Sequence, residues 1–300
     1  MIRLLGKFSP VLFLVMWSSG AIFVKLGLTS ASVWSFLAVR ATGALLLLLV
    51  IIGIFFRSVF TELRHLTKKD LSSLFFTGLL LQGAYQSCFF LAIYNGLSPG
   101  VLALVLGLQP MLTPIVGREQ IGLSRYIFLL IGLLGLTIAI VGAQDTSHIT
   151  VWGIVFGLLS VLAITIGSVH QKKSNQPPLI SAFLQYCAAS VLFVTIILLV
   201  GWNANIDTNF IIASSWMIVI VSVGAVLLLL FMLQKEAASK VSVLFYFVPI
   251  LTMLFDYLVF DTQLSWVIVI GTTIVLASIY LYRLPDTRPH LLSVEPKGHR

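Results

Sequence analysis

A chain of 300 residues that is 59% apolar and 9% charged, with a mean hydropathy of +1.08, holds more apolar side chains than one water-soluble core can hide. This excludes a soluble globular domain. The net charge of +8 sits in short connections rather than in a basic stripe with interleaved aromatics, which excludes a nucleic-acid groove.

A bilayer crossing takes about 20 apolar residues, and the apolar runs predict helices over 8–28, 33–56, 72–94, 98–117 and 123–143. A second five follow over 151–170, 179–200, 214–234, 239–260 and 264–283. The expected fold is all-α: a polytopic membrane protein of ten transmembrane helices arranged as two inverted five-helix repeats, 1–145 and 146–284. The tail 285–300, with three prolines among charges, is expected to be disordered and cytoplasmic. The first run follows Arg3 and Lys7 as a signal peptide would, yet it is too long, contains Lys25 and lacks a small-x-small cleavage site. It is expected to remain as a spanning helix.

The repeat is visible in the residues. SPGVLALVLGLQPMLTPIVGR (98–118) returns as ASKVSVLFYFVPILTMLFD (238–256), placing Pro249 139 positions after Pro110, and Leu251, Thr252 and Gly271 at the same spacing from Leu112, Thr113 and Gly132. A proline inside a helix removes one hydrogen bond and strips the carbonyl four residues back of its partner, so Pro110 and Pro249 predict kinks, with Leu106 and Phe245 as the freed carbonyls. Membrane helices tolerate such breaks beside other helices or a cavity. Two kinks at equivalent positions point to a cavity, although prolines are also simply common in membrane helices. Gly153 and Gly157, and the stripe of Gly132, Gly135 and Ala139, read as helix-packing faces.

Lysine and arginine fall in alternate connections only: Arg57, Arg64, Lys68 and Lys69; Arg118 and Arg125; Lys172 and Lys173; Lys235 and Lys240; and the tail. The other connections carry acids such as Asp145, Asp207 and Asp261. By the positive-inside rule both termini are expected in the cytoplasm. Five spans per half then force the second half to begin from the opposite side, the arrangement many secondary transporters use to alternate access to one central site.

Ionisable groups within a bilayer are functional candidates. Lys25 and Arg40 fall in the outer parts of the first two helices, and Asp256 at the same depth in the ninth. Arg40 and Lys25 together would accept a carboxylate or another anionic group of a substrate. Alternatively Lys25 snorkels to the headgroups while Arg40 and Asp256 form a structural ion pair. On the third helix Gln82, Tyr85, Gln86 and Phe89 share one face, as ligands or as interhelical hydrogen bonds; Gln185, Tyr186 and Tyr246 are their counterparts in the second half. Gln109 can serve a substrate or donate to the carbonyls that Pro110 frees. Trp17, beside Ser18, Ser19 and Gly20, is either an aromatic wall of the site or plain packing. Asp256 is the expected proton carrier if a proton drives transport, and His170 either couples a proton or is an ordinary interfacial histidine. Cys88 and Cys187 lie in apolar runs and support neither a disulfide framework nor a metal site, and no cofactor is expected.

MWSSGAIFVKLGL, FLAVRATGALLLL, GLSPGVLALVLGLQPMLTPIVGRE and EAASKVSVLFYFVPILTMLFDYLVFDTQLS, in this order across 8–283, resemble the EamA-type branch of the drug/metabolite transporter superfamily. The resemblance implies an inverted-repeat carrier of the bacterial inner membrane that exports amino acids, other metabolites or toxic compounds. Arg118 before Glu119 and Asp261 in the second half depart from the family pattern. No phosphate loop, HExxH pair or GxSxG elbow is present, so no enzyme is expected. The expected function is a secondary transporter exporting amino acids or related amphipathic compounds; a passive channel or a multidrug efflux carrier is the alternative. The expected partners are a small-molecule substrate, the lipid bilayer and a coupling proton.

Overall fold

The structure is a computed structural model that describes residues 2–97, 99–141, 150–251, 254 and 266–284. Asp145, Thr252, Asp256, Asp261 and the 285–300 tail lie outside the described residues. Among the described residues twelve helices follow one another: α1 Ile2–Gly27, α2 Val33–Phe55, α3 Ser58–Arg64, α4 Lys68–Tyr94, α5 Pro99–Leu106, α6 Gln109–Gly117, α7 Leu123–Val141, α8 Val151–Lys172, α9 Pro178–Val200, α10 Thr208–Lys235, α11 Ala238–Leu251 and α12 Trp266–Arg283. Six of them (α1 from Phe8 on, α2, α4, α8, α9 and α10) are long and apolar enough to cross a membrane.

Their ends are set by local chemistry. The hydroxyls of Ser32, Thr67 and Thr150 and the carboxylate of Asp207 accept the first free amides of α2, α4, α8 and α10. Pro178 opens α9, and Gly201 ends it at φ 86°. Along α2, Ala41, Ala44, Leu48 and Ile52 turn inward while Leu46, Val50 and Ile54 remain exposed. Large apolar side chains on an outer surface fit a lipid solvent.

Two features were not expected. Ser58–Arg64, anticipated as a charged connection, forms the short helix α3, anchored by the buried Val59 against Ile52 and Leu74. The single span foreseen over 98–117 breaks at Gly107 and Leu108 into α5 and α6, with Pro110 in the first turn of α6. In the second half the chain tightens into a 3-10 turn over Val243–Tyr246, immediately before Pro249. In both halves the helix departs from α geometry just upstream of the proline.

A second pair of irregularities is also duplicated. α4 widens into a π segment at Leu79–Ala84 and α10 does so at Met217–Ala225, so the two fall near the repeat spacing. Such segments recur at functional sites because they leave a carbonyl out of the regular ladder.

The halves interlock. α1 packs against α10 and, reciprocally, α4 against α8; α2 lies on α9, α6 on α11 and α7 on α12. Gly135 and Gly271 bring α7 and α12 into backbone contact: a Cβ on Gly271 would stand 2.5 Å from the Gly135 carbonyl oxygen and 2.5 Å from the Ala139 nitrogen.

Hydrogen bonds tie particular ends together. The turn after α1 meets the turn after α9: Ser32 N–H donates to Asn203 O at 2.8 Å, Asn205 N–H to Ser30 O at 2.7 Å, and the Ser30 hydroxyl to Asp207 at 2.8 Å. Thr150, before α8, donates to Asn95 after α4. We call the side carrying these turns the distal face. At the other, N-terminal face, Ser239 at the start of α11 donates its amide at 3.3 Å and its hydroxyl to Glu119 after α6, and Lys172 donates to Gln234 O at 3.3 Å.

Candidate functional site

Arg40 lies on α2 two turns below the distal face and is 2% exposed. Among the described residues neither its Nε nor its Nη2 has a hydrogen-bond partner. Its electrostatic neighbours are Tyr186 on α9 and Tyr85 on α4. Tyr186 is held by its hydroxyl, which donates at 2.8 Å to Ser222 O, a carbonyl inside the π segment of α10. Tyr85 follows directly on the π segment of α4, and its ring stacks on Trp17 of α1 with centroids 6.3 Å apart at 14°. Phe245 of α11 meets Trp17 edge-on at 5.6 Å, and Phe89 leans on Tyr85 at 5.9 Å. Both halves supply walls: Trp17, Arg40, Tyr85 and Phe89 from the first, Tyr186, Ser222 and Phe245 from the second.

Gln82, one turn before Tyr85, is buried and its amide oxygen has no partner among the described residues. Gln86 is buried on the same helix. Gln185 is completely buried and donates to Gln171 at 2.8 Å, which donates in turn to Ser181 at 3.3 Å. That chain crosslinks α8 and α9. Gln109 is buried with no partner for its amide oxygen among the described residues, while Thr113 back-bonds to the Gln109 carbonyl at 2.7 Å.

Other expected residues are placed elsewhere. Tyr246 gives its hydroxyl to Leu129 O at 2.9 Å, and its ring lies against Gly132, so it joins α11 to α7. Lys25 is exposed in the last turn of α1. His170 is bonded through Nδ1 to Thr77 at 2.7 Å, with Phe76 edge-on at 5.3 Å, and sits where α8 meets α4 near the N-terminal face. Ser222 was missed by sequence reasoning, and Phe245 was named there only for its freed carbonyl, not for its ring. The repeat could have flagged Ser222, since it lies 140 positions after Gln82, one off the spacing that relates the prolines.

A cavity of about 420 Å³ opens at the distal face among Leu28, Ser32, Trp34, Leu91, Tyr94 and Asn203. Arg40 does not line it. Beside it, Asp207 accepts from the Phe210 amide at 2.8 Å and from Ser30. These two donors hold its carboxyl below the ordinary carboxylate range. Among the described residues no group of His, Cys, Asp and Glu could hold a metal ion.

An all-helical chain with an apolar exterior, duplicated irregular helices and a buried cation walled by both halves defines a multi-pass membrane protein with an internal polar site. The model of the EamA-like transporter family matches residues 4–141 and 151–284, and the chain belongs to that family. It is a membrane transporter of the drug/metabolite superfamily, whose members are transporters rather than enzymes. No curated protein matches the sequence. A solved structure, titled only as the crystal structure of a protein, is 14% identical, covering 92% of this chain and 96% of its own, with a TM-score of 0.70. At that identity the likeness concerns the fold alone.

Proposed function

We propose that the protein is a secondary transporter that exports small amphipathic metabolites, amino acids foremost, across a bacterial inner membrane by alternating access. The proposed frame is ten spans in two inverted repeats, 1–145 and 146–284, with α5 and α6 forming one broken span and both termini in the cytoplasm. Three things support it. The turn after α1 bonds to the turn after α9 rather than to its repeat equivalent after α8, as antiparallel halves require. The π segments recur in both halves. The cations Arg57, Arg64, Lys68, Lys69, Lys172, Lys173 and Lys235 all belong to connections at the N-terminal face.

The observation that carries the substrate side is the buried Arg40 with two unpartnered nitrogens at the meeting of the halves. A charge at that depth costs several kcal/mol and is retained where it serves a pathway or a site. In a rocking mechanism the Ser30–Asp207 and Glu119–Ser239 bonds act as alternating closures of the two faces. Asp256 and His170 are the proposed positions for a coupling proton.

The test is growth of cells overproducing the chain on a panel of toxic amino acids, amino-acid analogues and dyes. Resistance confined to amino-acid-like compounds is expected. Unchanged sensitivity to the whole panel, with folded protein present in the membrane, refutes the export reading.

A further inference from the structure

The connection between α2 and α4 carries chemistry that the duplication does not explain. α2 and its counterpart α9 are both 23 residues long. After α9 the chain reaches α10 through 201–207, a stretch without a helix and without lysine, arginine or phenylalanine. After α2 it inserts α3 and places Arg57, Arg64, Lys68 and Lys69, all exposed, within a few turns of one another. The acids of this stretch are Glu62 and Asp70, and Asp70 is engaged by Thr67, whose hydroxyl donates to its carboxylate at 2.6 Å and accepts its amide at 3.1 Å.

α3 has two faces. Val59 and Leu63, four residues apart, pack with Ile52 of α2, Leu74 of α4, and Ile180 and Leu184 of α9. This inner face therefore lies across the seam between the halves. Arg57, Phe60 and Arg64 recur at three and four on the outer face. Arg57 is held there, because its Nε donates to Gly53 O at 2.9 Å, which leaves its two Nη nitrogens for another acceptor. Apolar groups set the depth. The exposed stripe of α2 ends in Phe55 and Phe56, which are 73% and 50% exposed, and Arg57 follows at once, where acyl chains give way to headgroups. Lys68 and Lys69 add positive charge to the positive end of the α4 dipole, an arrangement that an anion relieves.

We propose that α3 and the first turn of α4 form a headgroup site for an anionic phospholipid of the leaflet at the N-terminal face. Arg57 and Arg64 take the phosphate oxygens, Lys68 and Lys69 supply further positive charge, and Phe55, Phe56 and Phe60 lie along the acyl chains. A soluble anion or an acidic peptide would leave the three rings in water. Because the inner face of α3 joins α2, α4 and α9, a lipid seated on the outer face braces the two halves against each other. The proposal needs the membrane class alone and no particular substrate.

The test uses the full chain in detergent, titrated with phosphatidylglycerol or with phosphatidylcholine of the same acyl chains, and followed by native mass spectrometry and by the unfolding midpoint. Phosphatidylglycerol is expected to bind about tenfold more tightly, the scale of one or two cations at an anionic surface, and to raise the midpoint further. Arg57→Gln with Arg64→Gln should bring the two lipids level, and Lys68→Gln with Lys69→Gln, outside α3, should remove part of the preference. Lys172→Gln with Lys173→Gln removes equal charge from another connection at the same face and should leave the preference intact. Phe55→Ser with Phe60→Ser should weaken both lipids alike.

Equal binding of the two lipids by the unaltered chain overturns the assignment. So does an equal loss in the Lys172 and Lys173 pair, which would make the preference one of net charge. Glycerol phosphate displacing phosphatidylglycerol at equal concentration also overturns it, since the anion would then bind without help from the acyl chains.

Discussion

Replacing Arg40 by methionine should stabilise the ligand-free protein. The substitution keeps a long, flexible side chain of similar reach and removes a buried cation that, among the described residues, has no partner on two of its nitrogens. Each unsatisfied buried donor costs about 1–3 kcal/mol, and even a buried ion pair exchanged whole for apolar side chains of like volume returns about 1–4 kcal/mol, the range taken for this cation. At about 2 °C per kcal/mol for a chain of this size, the unfolding midpoint should rise by about 2–8 °C. Tryptophan fluorescence reports it in detergent, since Trp17 lies in the affected cluster. The same variant should no longer bind or move substrate. A structural ion pair predicts the opposite, because stranding one partner of a buried pair costs about 3–5 kcal/mol. A midpoint lowered by several degrees in Arg40→Met, with a matching drop in Asp256→Asn, would refute the unpaired-cation argument.

Gly271→Ala sets a methyl against the α7 backbone, where nothing flexible can give way; it should cost about 1–3 kcal/mol and show as a lowered midpoint and reduced yield of folded protein. Tyr186→Phe leaves the Ser222 carbonyl buried without its donor, at about 1–3 kcal/mol, and should weaken substrate binding as the wall beside Arg40 loosens. Asp207 has its carboxyl pKa lowered by the Phe210 amide and the Ser30 hydroxyl, so its contribution is present above the ordinary carboxylate pKa and is lost as pH falls through the depressed folded value. Asp207→Asn should therefore flatten the acid limb of the midpoint-versus-pH curve, and an unchanged acid limb would show that the distal-face bond contributes nothing.

Composition and charge spacing were enough to read the membrane class and the alternation of connections, because bilayer thickness imposes span length and loop charge imposes order. The Pro110 and Pro249 pairing exposed the duplication. Arg40 stood out because a charge within an apolar run is conspicuous in any sequence. The π segments did not, since an extra residue in one turn leaves hydropathy unchanged. The break at Gly107 and Leu108 depends on how α5 and α6 pack, and α3 depends on Val59 finding Ile52 and Leu74. Tyr246 and Tyr186 read alike as polar aromatics in the sequence. Only tertiary geometry sends the first hydroxyl to Leu129 on α7 and the second to Ser222 beside the buried cation.

The wound-out turn at Leu79–Ala84 also fixes phase. One residue more or less in an α-helix rotates everything beyond it by about 100°. If the same residues wound as a regular α-helix, Tyr85, Gln86 and Phe89 would swing by that angle around the α4 axis, away from Trp17. The face that greets a ligand is thus keyed to an irregularity one turn long, and a shift in reading register, with no change in residue type, would be enough to point it at lipid.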